Sequence, residues 1–291
     1  MTCEVIEVEC KDGQRRSMDY QLFHQKSPAP TTTAGQHVRH LRRQAALSQL
    51  DLALMAGVSQ RHLSCVETGR AKASPSTLHA LLSALNAPLD QCNEVFLAAG
   101  YAPRYSTTPL ESPTLDVVRA AIDHILHAND PAPAIVIDSN WDITAANVST
   151  GLLLAMAGVA QDVGSGLNLL ETLFCPGGLG DRLANAHEIR AAAWQRASRE
   201  SVSNPALAER LNRFPSPGFV LPAPTASPLL LTRVCTADGE LRFLSTFTTF
   251  GMPLDITVES LRIEHLIPAD LSTRQRMMQA FNDWNADYGH E

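Results

Sequence analysis

The stretch that decides the fold of the N-terminal region is Ser48-Gln-Leu-Asp-Leu-Ala-Leu-Met-Ala-Gly57-Val-Ser-Gln-Arg-His-Leu-Ser-Cys-Val-Glu-Thr-Gly69. Ser48 can cap a first helix, and Gly57 can adopt the left-handed conformation that ends it. Ser59 can cap a second helix that ends at Gly69. The residues predicted to face inward recur at helical spacing: Leu52, Ala53, Ala56, Val58, Leu63 and Val66. Two short helices that pack closely across a glycine turn are helix-turn-helix construction.

Helical signals continue on both sides of this stretch. Residues 37–46 have apolar side chains three and four positions apart, and residues 90–99 can form another helix. Ser74 and Pro75 start a further helix that runs over residues 77–85. The sequence therefore predicts a compact all-α domain of five helices over residues 35–104.

The motifs of this domain resemble those of the xenobiotic-response-element-like (XRE) family of transcriptional regulators, which is related to the lambda-type phage repressors. The family's Ser-Gln-x-x-Leu-Ala element begins at Ser48, its Gly-Val-Ser element at Gly57 and its Glu-x-Gly-Arg element at Glu67. Ala73 departs from the pattern, because the loop before the fourth helix often carries proline. The resemblance implies a lambda-repressor-like fold whose second motif helix, residues 59–68, enters the major groove of double-stranded DNA.

The residue types on this second helix suit base recognition. Gln60 can form a bidentate hydrogen-bond pair with adenine, and Arg61 can form one with guanine. The resemblance adds Gln49, at the start of the first motif helix, as a phosphate contact. The predicted DNA-binding residues are Gln49, Ser59, Gln60, Arg61, Ser64, Cys65, Arg43, Arg70 and Lys72. The alternative for these side chains is a solvated helix surface without a partner.

The resemblance gives Arg42 and Glu67 a structural role. The family pairs these two positions in a partly buried ion pair that ties the first helix to the third. A lone buried charge is costly, so each side chain should depend on the other.

Charge is unevenly distributed along the chain, although the net charge is −7. Residues 35–104 carry seven Lys and Arg against four Asp and Glu, whereas residues 105–291 carry twelve against twenty-one. Only the first of these segments can approach a polyanion without net repulsion. Residues 1–34 are polar, which favours a flexible segment, and residues 105–114 contain prolines and hydroxyl side chains typical of a linker. A second domain is predicted over residues 115–291.

The second domain mixes helical and strand signals. Ala134–Asp138 and Trp141–Ala145 flank a turn and predict a β-hairpin. Leu229–Thr236 and Leu241–Thr249 flank Ala237-Asp-Gly-Glu240, where Asp-Gly favours a tight hairpin turn. Residues 256–266 are predicted to form another strand. Helices are predicted over residues 115–127, 147–157, 187–199 and 273–284.

The order of elements around residues 134–147 resembles the opening of a PAS-type sensor fold. Behind an XRE-like domain, this order and two later blocks, residues 249–255 and 264–270, resemble the MmyB-like transcriptional regulators. The resemblance implies an α+β fold with an antiparallel sheet and a cavity for an apolar small molecule, such as a fatty acid. The predicted ligand-binding residues are Ile135, Ile137, Trp141, Leu153, Phe174, Trp194, Phe243 and Phe247. Arg190 or Arg242 is expected to meet a polar head group.

Candidate catalytic residues form no recognisable site. His124 and His127 lie on one helix without a third metal ligand, and Asp138 and Asp142 flank a turn, where aspartate is common. Ser165 lacks the strand, turn and helix setting of a hydrolase nucleophile. The six cysteines show no Cys-x-x-Cys spacing. We therefore predict no enzyme activity, no metal and no cofactor.

Three functions stay open from the sequence. The first is a ligand-responsive transcription regulator that binds a DNA operator as a homodimer in the cytoplasm. The second is a DNA-bound scaffold or protein-interaction regulator with no small-molecule ligand, and the third is an enzyme with a DNA-binding appendage. We favour the first, since no nucleophile–base motif supports the enzyme. No membrane insertion is expected, because the apolar runs are far shorter than the ~18 residues that a spanning helix needs.

Overall fold

The computed structural model describes residues 33–160, 166–218 and 229–288 of the chain. It begins with the five predicted helices, which are α1 Ala34–Gln44, α2 Gln49–Met55, α3 Gln60–Glu67, α4 Pro75–Ala84 and α5 Leu89–Ala98. Their ends lie within a few residues of the predicted ones. The predicted flexible segment 1–34 lies outside the described residues except for its last two, and there Thr33 already caps α1.

Local capping explains where the helix-turn-helix elements begin and end. The Ser48 hydroxyl accepts a hydrogen bond from the Asp51 backbone N–H, and the Asp51 carboxylate accepts one from the Ser48 backbone N–H, at 3.1 Å each. The Ser59 hydroxyl accepts one from the His62 backbone N–H at 3.1 Å. Gly57 has a φ of +66°, which most side chains disfavour, and this lets α2 turn sharply towards α3. These bonds satisfy backbone groups that helix ends leave unpaired.

The core of the helical domain is apolar and closely packed. Its buried members include Val38, Leu52, Leu63, Leu78, Leu81, Val95 and Phe96. Helix α1 approaches α3 closely, since a Cβ atom on Gly35 would lie 2.0 Å from the carbonyl oxygen of Val66. Glycine at position 35 therefore lets the first helix pack against the helix that carries the predicted base contacts.

The rest of the described chain forms an α+β domain, as predicted. Its helices are α6 Asp116–Asn129, α7 Val148–Met156, α8 Leu169–Phe174, α9 Ala186–Glu200, α10 Pro205–Leu211, α11 Ile256–Ser260 and α12 Leu271–Tyr288. Its strands are β1 Ala134–Ile137, β2 Ile143–Ala146, β3 Leu231–Thr236, β4 Gly239–Thr249 and β5 Arg262–Pro268. The strands form one antiparallel sheet in the order β2-β1-β5-β4-β3. The antiparallel sheet expected of the second domain is thus present.

The two faces of the sheet have different partners. Val136 of β1 and Ile263 of β5 pack against α6. Ile135 and Glu264 point to the other face, because successive side chains of a strand alternate, and both line a cavity there. Towards the β3 edge of the sheet, the apolar residues of β3 and β4 pack against α7, α8 and α12. The sheet therefore separates α6 from the cavity.

Three local predictions in this domain are wrong. Trp141 lies in the turn before β2 with a φ of +65°, and not in a strand. Residues 256–260 form α11, because the Asp255 carboxylate caps it by accepting from the Thr257 backbone N–H at 2.9 Å; the strand starts only at Arg262. Thr236 pairs with Gly239, so the hairpin turn is Ala237-Asp238 and not Asp-Gly.

Candidate DNA-binding surface and ligand cavity

The predicted base-contacting side chains share the outer surface of α3. Gln60 and Arg61 are exposed at its start, and Ser64 and Cys65 are half-buried one turn later. Ser59 is exposed as well, although its hydroxyl already accepts the capping bond of α3. The opposite side of the helix is anchored in the core. Helix α3 thus presents a polar surface of the kind that enters a DNA major groove.

The cations predicted to contact phosphates lie on elements next to α3. Arg43, at the end of α1, and Arg70 and Lys72, in the loop after α3, are all exposed. The Lys72 ammonium lies 4.6 Å from the centre of the Tyr101 ring, and Arg70 Nε donates to the Thr68 hydroxyl at 3.1 Å. These contacts keep both cations at the surface of the domain, where phosphate oxygens can reach them.

Arg42 and Glu67 meet in a buried ion pair between α1 and α3, and are 8% and 3% exposed. Arg42 Nε and Nη2 donate to the two carboxylate oxygens of Glu67 at 2.6 and 2.9 Å. Arg42 Nη1 donates to the Leu47 carbonyl oxygen, and the Gln49 side-chain N–H donates to Glu67 Oε2, both at 2.8 Å. Burial opposes ionisation of Glu67, but the hydrogen bonds from Arg42 and Gln49 outweigh it and lower the pKa of the carboxyl. Every guanidinium nitrogen of Arg42 therefore has an acceptor.

A cavity of about 310 Å³ lies between the sheet and helices α7, α8 and α9. Its size falls at the lower end of the range of about 300–1,000 Å³ that is usual for small-molecule sites. The wall is mainly apolar, and its aliphatic members include Ile135, Ile137, Ile143, Leu153, Leu154, Leu173, Ile189 and Leu266. An aliphatic chain can therefore be buried here with a favourable change in hydration.

Five of the eight predicted ligand-binding residues lie on the cavity wall, namely Ile135, Ile137, Trp141, Leu153 and Phe247. The other three do not, and the expected lining is corrected accordingly. Phe174 and Trp194 pack edge to face beside the cavity, with 6.1 Å between their ring centres, in a cluster that includes Phe214. Phe243 is completely buried in the core between the sheet and α12. Three of the five aromatic side chains expected on the cavity wall therefore pack in the hydrophobic core instead.

Charged side chains meet beside the cavity, and Arg196 among them lies on its wall. Glu200, the last residue of α9, accepts hydrogen bonds from Arg262 Nη1 at 2.6 Å, Trp141 Nε1 at 2.8 Å and Arg196 Nε at 3.0 Å. Burial opposes ionisation of Glu200, but these donors outweigh it and lower its pKa. The Arg196 guanidinium lies on the cavity wall, with Cζ 3.8 Å from the centre of the Phe247 ring.

Glu264 of β5 and Ser245 of β4 add two further polar groups. Both line the cavity, and the Ser245 hydroxyl donates to Glu264 Oε1. Burial raises the pKa of Glu264, although the Ser245 hydrogen bond and the nearby arginines work against it. We call six residues the polar cluster: Trp141, Arg196, Ser245 and Glu264 line the cavity, whereas Glu200 and Arg262 do not. Glu200 joins them through its hydrogen bonds to Trp141, Arg196 and Arg262.

The arginine at the cavity is not one of the two expected from the sequence. Arg190 donates to the Leu173 carbonyl oxygen and to Asp181, and Arg242 pairs with Glu240. Arg196 lies on the wall instead. Glu264 was also missed, since an acidic residue in a strand normally faces solvent. Alternation along β5 could have indicated it, because Glu264 shares a face of that strand with the apolar Leu266.

The two domains contact each other through α5 and α11. Glu259 Oε2 accepts from the Leu89 backbone N–H at 2.8 Å, at the start of α5, where this helix has no side-chain cap of its own. Asp255, which caps α11, also accepts from the Thr108 hydroxyl at 2.6 Å. Burial of Glu259, together with the nearby Asp90 charge, raises its pKa. Helix α11 is therefore attached both to the helical domain and to the connecting segment.

The other candidate residues form no second site. His124 and His127 are exposed on α6, and Asp138 Oδ1 accepts backbone hydrogen bonds from Asn140 and Asp142 within its turn. Ser165 lies outside the described residues. Within residues 33–160, 166–218 and 229–288, no three side chains are grouped as metal ligands would be. In the same described ranges, every helix is too short or too polar to cross a membrane.

Comparison with protein families finds two matches that together span most of the described chain. A helix-turn-helix domain profile matches residues 34–95. The profile of the MmyB-like transcription regulator ligand binding domain matches residues 118–280, which is more than half of the chain. A search of curated protein sequences finds no significant match.

Two solved structures show partial similarity. The restriction-modification controller protein C.AhdI from Aeromonas hydrophila is 30% identical, with 23% of this chain and 96% of that chain covered and a TM-score of 0.21. An RNA-binding light-oxygen-voltage receptor is 12% identical, with 89% of this chain and 65% of that chain covered and a TM-score of 0.25. Both TM-scores are too low to support a functional conclusion.

Proposed function

Because the chain belongs to the family of transcription regulators with an MmyB-like ligand-binding domain, we propose that it controls transcription in response to an apolar small molecule. The observation that carries this proposal is the largely apolar cavity of about 310 Å³ in a domain that directly contacts the DNA-binding domain. The alternative is a DNA-bound scaffold that takes no small-molecule ligand.

The proposed DNA contacts follow from the surface of α3. Gln60 and Arg61 read bases in the major groove, where Gln prefers adenine and Arg prefers guanine. Ser59, Ser64 and Cys65 make short contacts beside them. Gln49, Arg43, Arg70 and Lys72 contact phosphates and fix the orientation of the helix. A regulator of this kind acts where the DNA lies, which we take to be the cytoplasm.

A homodimer is the proposed binding unit. One α3 helix reads only a few base pairs, so two half-sites about one DNA turn apart, roughly 34 Å, are needed for a specific operator. The ligand-binding domain is acidic overall and is therefore repelled by DNA, which favours it as the place of the dimer contact. The operator is then an inverted repeat.

The proposed ligand is a molecule with an aliphatic chain, such as a fatty acid. Aliphatic side chains from β1, β5, α7 and α9 form most of the wall, and among the described residues its charged members are Arg196 and Glu264. A chain buried against the aliphatic wall gains about 0.8 kcal/mol per methylene from the hydrophobic effect. A polyphosphate would need several clustered cations, whereas the wall carries Arg196 as its one basic side chain among the described residues.

Helix α11 is the proposed route from the cavity to the DNA-binding domain. Strand β5 follows α11 after a single residue, Leu261, and carries the cavity-lining residues Glu264 and Leu266. Glu259 of α11 holds the start of α5. A ligand that binds one arrangement of these elements more tightly than another shifts their populations, and the shift is transmitted to α5.

The test combines operator selection with ligand binding. An operator is first selected from random DNA with the full-length protein, and an inverted repeat is the expected result. Thermal melting and operator affinity are then measured with saturated fatty acids of eight to eighteen carbons. A ligand should raise the melting temperature and change operator affinity about 5- to 150-fold.

Two tryptophan variants provide the control. Ile137→Trp narrows the cavity and should reduce the ligand effects, whereas Val202→Trp, at an 82% exposed position, should leave them unchanged. If no acid raises the melting temperature and Ile137→Trp leaves operator control unchanged, the scaffold replaces the sensor. Failure to enrich any DNA motif would remove the DNA-binding part of the proposal as well.

A further inference from the structure

The segment that connects the two domains is bonded to the helical domain at its start. Asn93, on α5, holds it there through its side chain. Asn93 Oδ1 accepts hydrogen bonds from the backbone N–H groups of Arg104 and Tyr105 at 2.8 and 3.0 Å, and its side-chain N–H donates to the Tyr105 carbonyl oxygen at 2.8 Å. The Tyr105 side chain also packs against the core of the helical domain. Residues 104 and 105 are therefore fixed to the helical domain.

The residues that follow are bonded to the ligand-binding domain. Ser106 pairs with Asp255 in a parallel bridge, and the Ser106 carbonyl oxygen accepts from the Ile256 backbone N–H at 2.9 Å. The Thr108 hydroxyl donates to Asp255 Oδ2 at 2.6 Å, and the Thr108 backbone N–H donates to Oδ1 at 3.4 Å. Leu110 then packs against the core next to α6. The bonds to one domain thus begin at the residue after those to the other end.

Helix α5, the connecting segment and helix α11 are each bonded to the other two. The segment meets α5 at Asn93 and meets the start of α11 at Asp255. Helix α11 closes the triangle, because Glu259 accepts from the Leu89 backbone N–H one turn before Asn93. Two domains can rotate about a single contact, whereas three contacts that close a triangle prevent this rotation. The helical domain is therefore held in one orientation on the ligand-binding domain.

A fixed orientation matters for a dimer that reads two half-sites. One added base pair moves a half-site by about 3.4 Å along the DNA and by about 35° around its axis. A flexible linker of about ten residues has an end-to-end distance of roughly 17 Å and would absorb such changes. A connecting segment that is bonded to both domains cannot absorb them.

We propose that Asn93 and Thr108 determine which spacing between the two half-sites the dimer accepts, because they fix α3 relative to the dimer contact in the ligand-binding domain. This inference rests on the proposed function, since it concerns the operator of the proposed homodimer. Both residues are positioning residues and do not contact the DNA. Their loss should leave the half-site sequence that α3 reads unchanged and should widen the range of accepted spacings.

The experiment measures binding of the full-length protein to its selected operator and to copies with one, two or five base pairs inserted between the half-sites. Five base pairs turn one half-site to the opposite side of the DNA. The wild-type protein should then lose the contribution of that half-site, which is about 10²- to 10⁴-fold in affinity. The double variant Asn93→Ala/Thr108→Val should lose at least about 10-fold less, because its two half-sites can still be bound together.

Two further variants make the comparison specific. The double variant Glu94→Ala/Thr107→Val changes exposed neighbours on the same helix and the same segment, and it should remain as strict as the wild type. Insertion of Gly-Ser-Gly-Ser between Tyr105 and Ser106 separates the two sets of bonds without removing a side chain. This insertion should also relax the spacing, and it serves as the test if Asn93→Ala does not fold.

Nitrogen-15 relaxation of the full-length protein measures the same rigidity without DNA. The amides of the helical domain should tumble with the whole molecule in the wild type and faster in the insertion variant. Faster tumbling already in the wild type would overturn the proposal. The same holds for a spacing profile that is broad in the wild type, or strict in both the double variant and the insertion variant. A protein that selects no operator removes the proposed function as well, whereas these other outcomes leave DNA binding in place.

Discussion

Each domain buries an arginine–glutamate pair, and the two pairs differ in how completely they are hydrogen-bonded. In the DNA-binding domain, every guanidinium nitrogen of Arg42 has an acceptor. In the ligand-binding domain, Arg262 reaches Glu200 through Nη1, and its other two nitrogens are buried without a hydrogen-bond partner in the part of the chain that the structure describes. The first arrangement is what a structural tie between two helices requires. The second leaves buried donors unmatched, which costs stability.

The largest effect on stability should come from breaking the satisfied pair. Arg42→Ala or Glu67→Ala leaves a buried charge without its partner, and each should cost about 3–5 kcal/mol in the free energy of unfolding. The double variant should recover part of this loss, because the two side chains interact directly. Urea unfolding of the four proteins measures these values, and strict additivity of the single effects would mean that the two residues do not interact.

Two further measurements test this first prediction: the effect of breaking a more exposed ion pair, and the dependence of stability on pH. Arg233 and Glu240 pair at the surface of the sheet, and Arg233→Ala should cost no more than about 1 kcal/mol in the free energy of unfolding.

The pKa of Glu67 is lowered in the folded protein, so the folded state binds fewer protons there than the unfolded state. Its contribution is therefore present above the ordinary glutamate pKa and is lost as the pH falls through the lowered value. Glu67→Gln should remove this part of the acid sensitivity.

The two domains also differ in how much of each could be predicted from the sequence. The helix-turn-helix is specified by residues close together in the chain, such as Ser48 with Asp51 and Gly57 at positive φ, so its helices follow from the sequence pattern. The Arg42–Glu67 pair joins residues 25 positions apart and was available only through the family resemblance. Residues close together in the chain therefore specify the helices of the first domain, whereas its ion pair could not be found from local pattern.

The cavity depends on contacts between distant segments, and its prediction was correspondingly incomplete. Aliphatic residues such as Ile135 and Leu153 could be assigned from strand alternation and helical spacing. Arg196 and Glu264 could not, because the sequence does not show which polar residue of α9 or β5 faces an interior space. The sequence predicts a strand where α11 lies, because these five residues have a β-rich pattern that does not show the capping bond of Asp255.

The second prediction concerns surface residues of the DNA-binding domain, whose substitution should change DNA binding and leave ligand binding unchanged. Arg61→Ala should cost about 1–3 kcal/mol in operator affinity and relax one base position, because a bidentate base contact is lost. Lys72→Ala should weaken binding to all sequences about equally and reduce the salt slope by about one. Titration of labelled operator and non-specific DNA at several salt concentrations measures both effects. Neither variant should alter dodecanoic acid binding, and equal losses on both DNAs for Arg61→Ala would place that side chain on a phosphate.

The smallest effect on stability, and the most informative about coupling, is expected at the contact between the domains. Glu259→Ala removes the cap of α5 and should cost about 0.5–2 kcal/mol in the unfolding of the helical domain. It should also bring the ratio of operator affinities with and without ligand close to one, because α11 no longer holds Leu89. Glu259→Gln is the matched control, since its side-chain oxygen can still accept from the Leu89 N–H while the repulsion from Asp90 disappears. A Glu259→Ala protein that binds ligand and operator normally and keeps the full ligand response would show that the signal reaches the DNA-binding domain by another route.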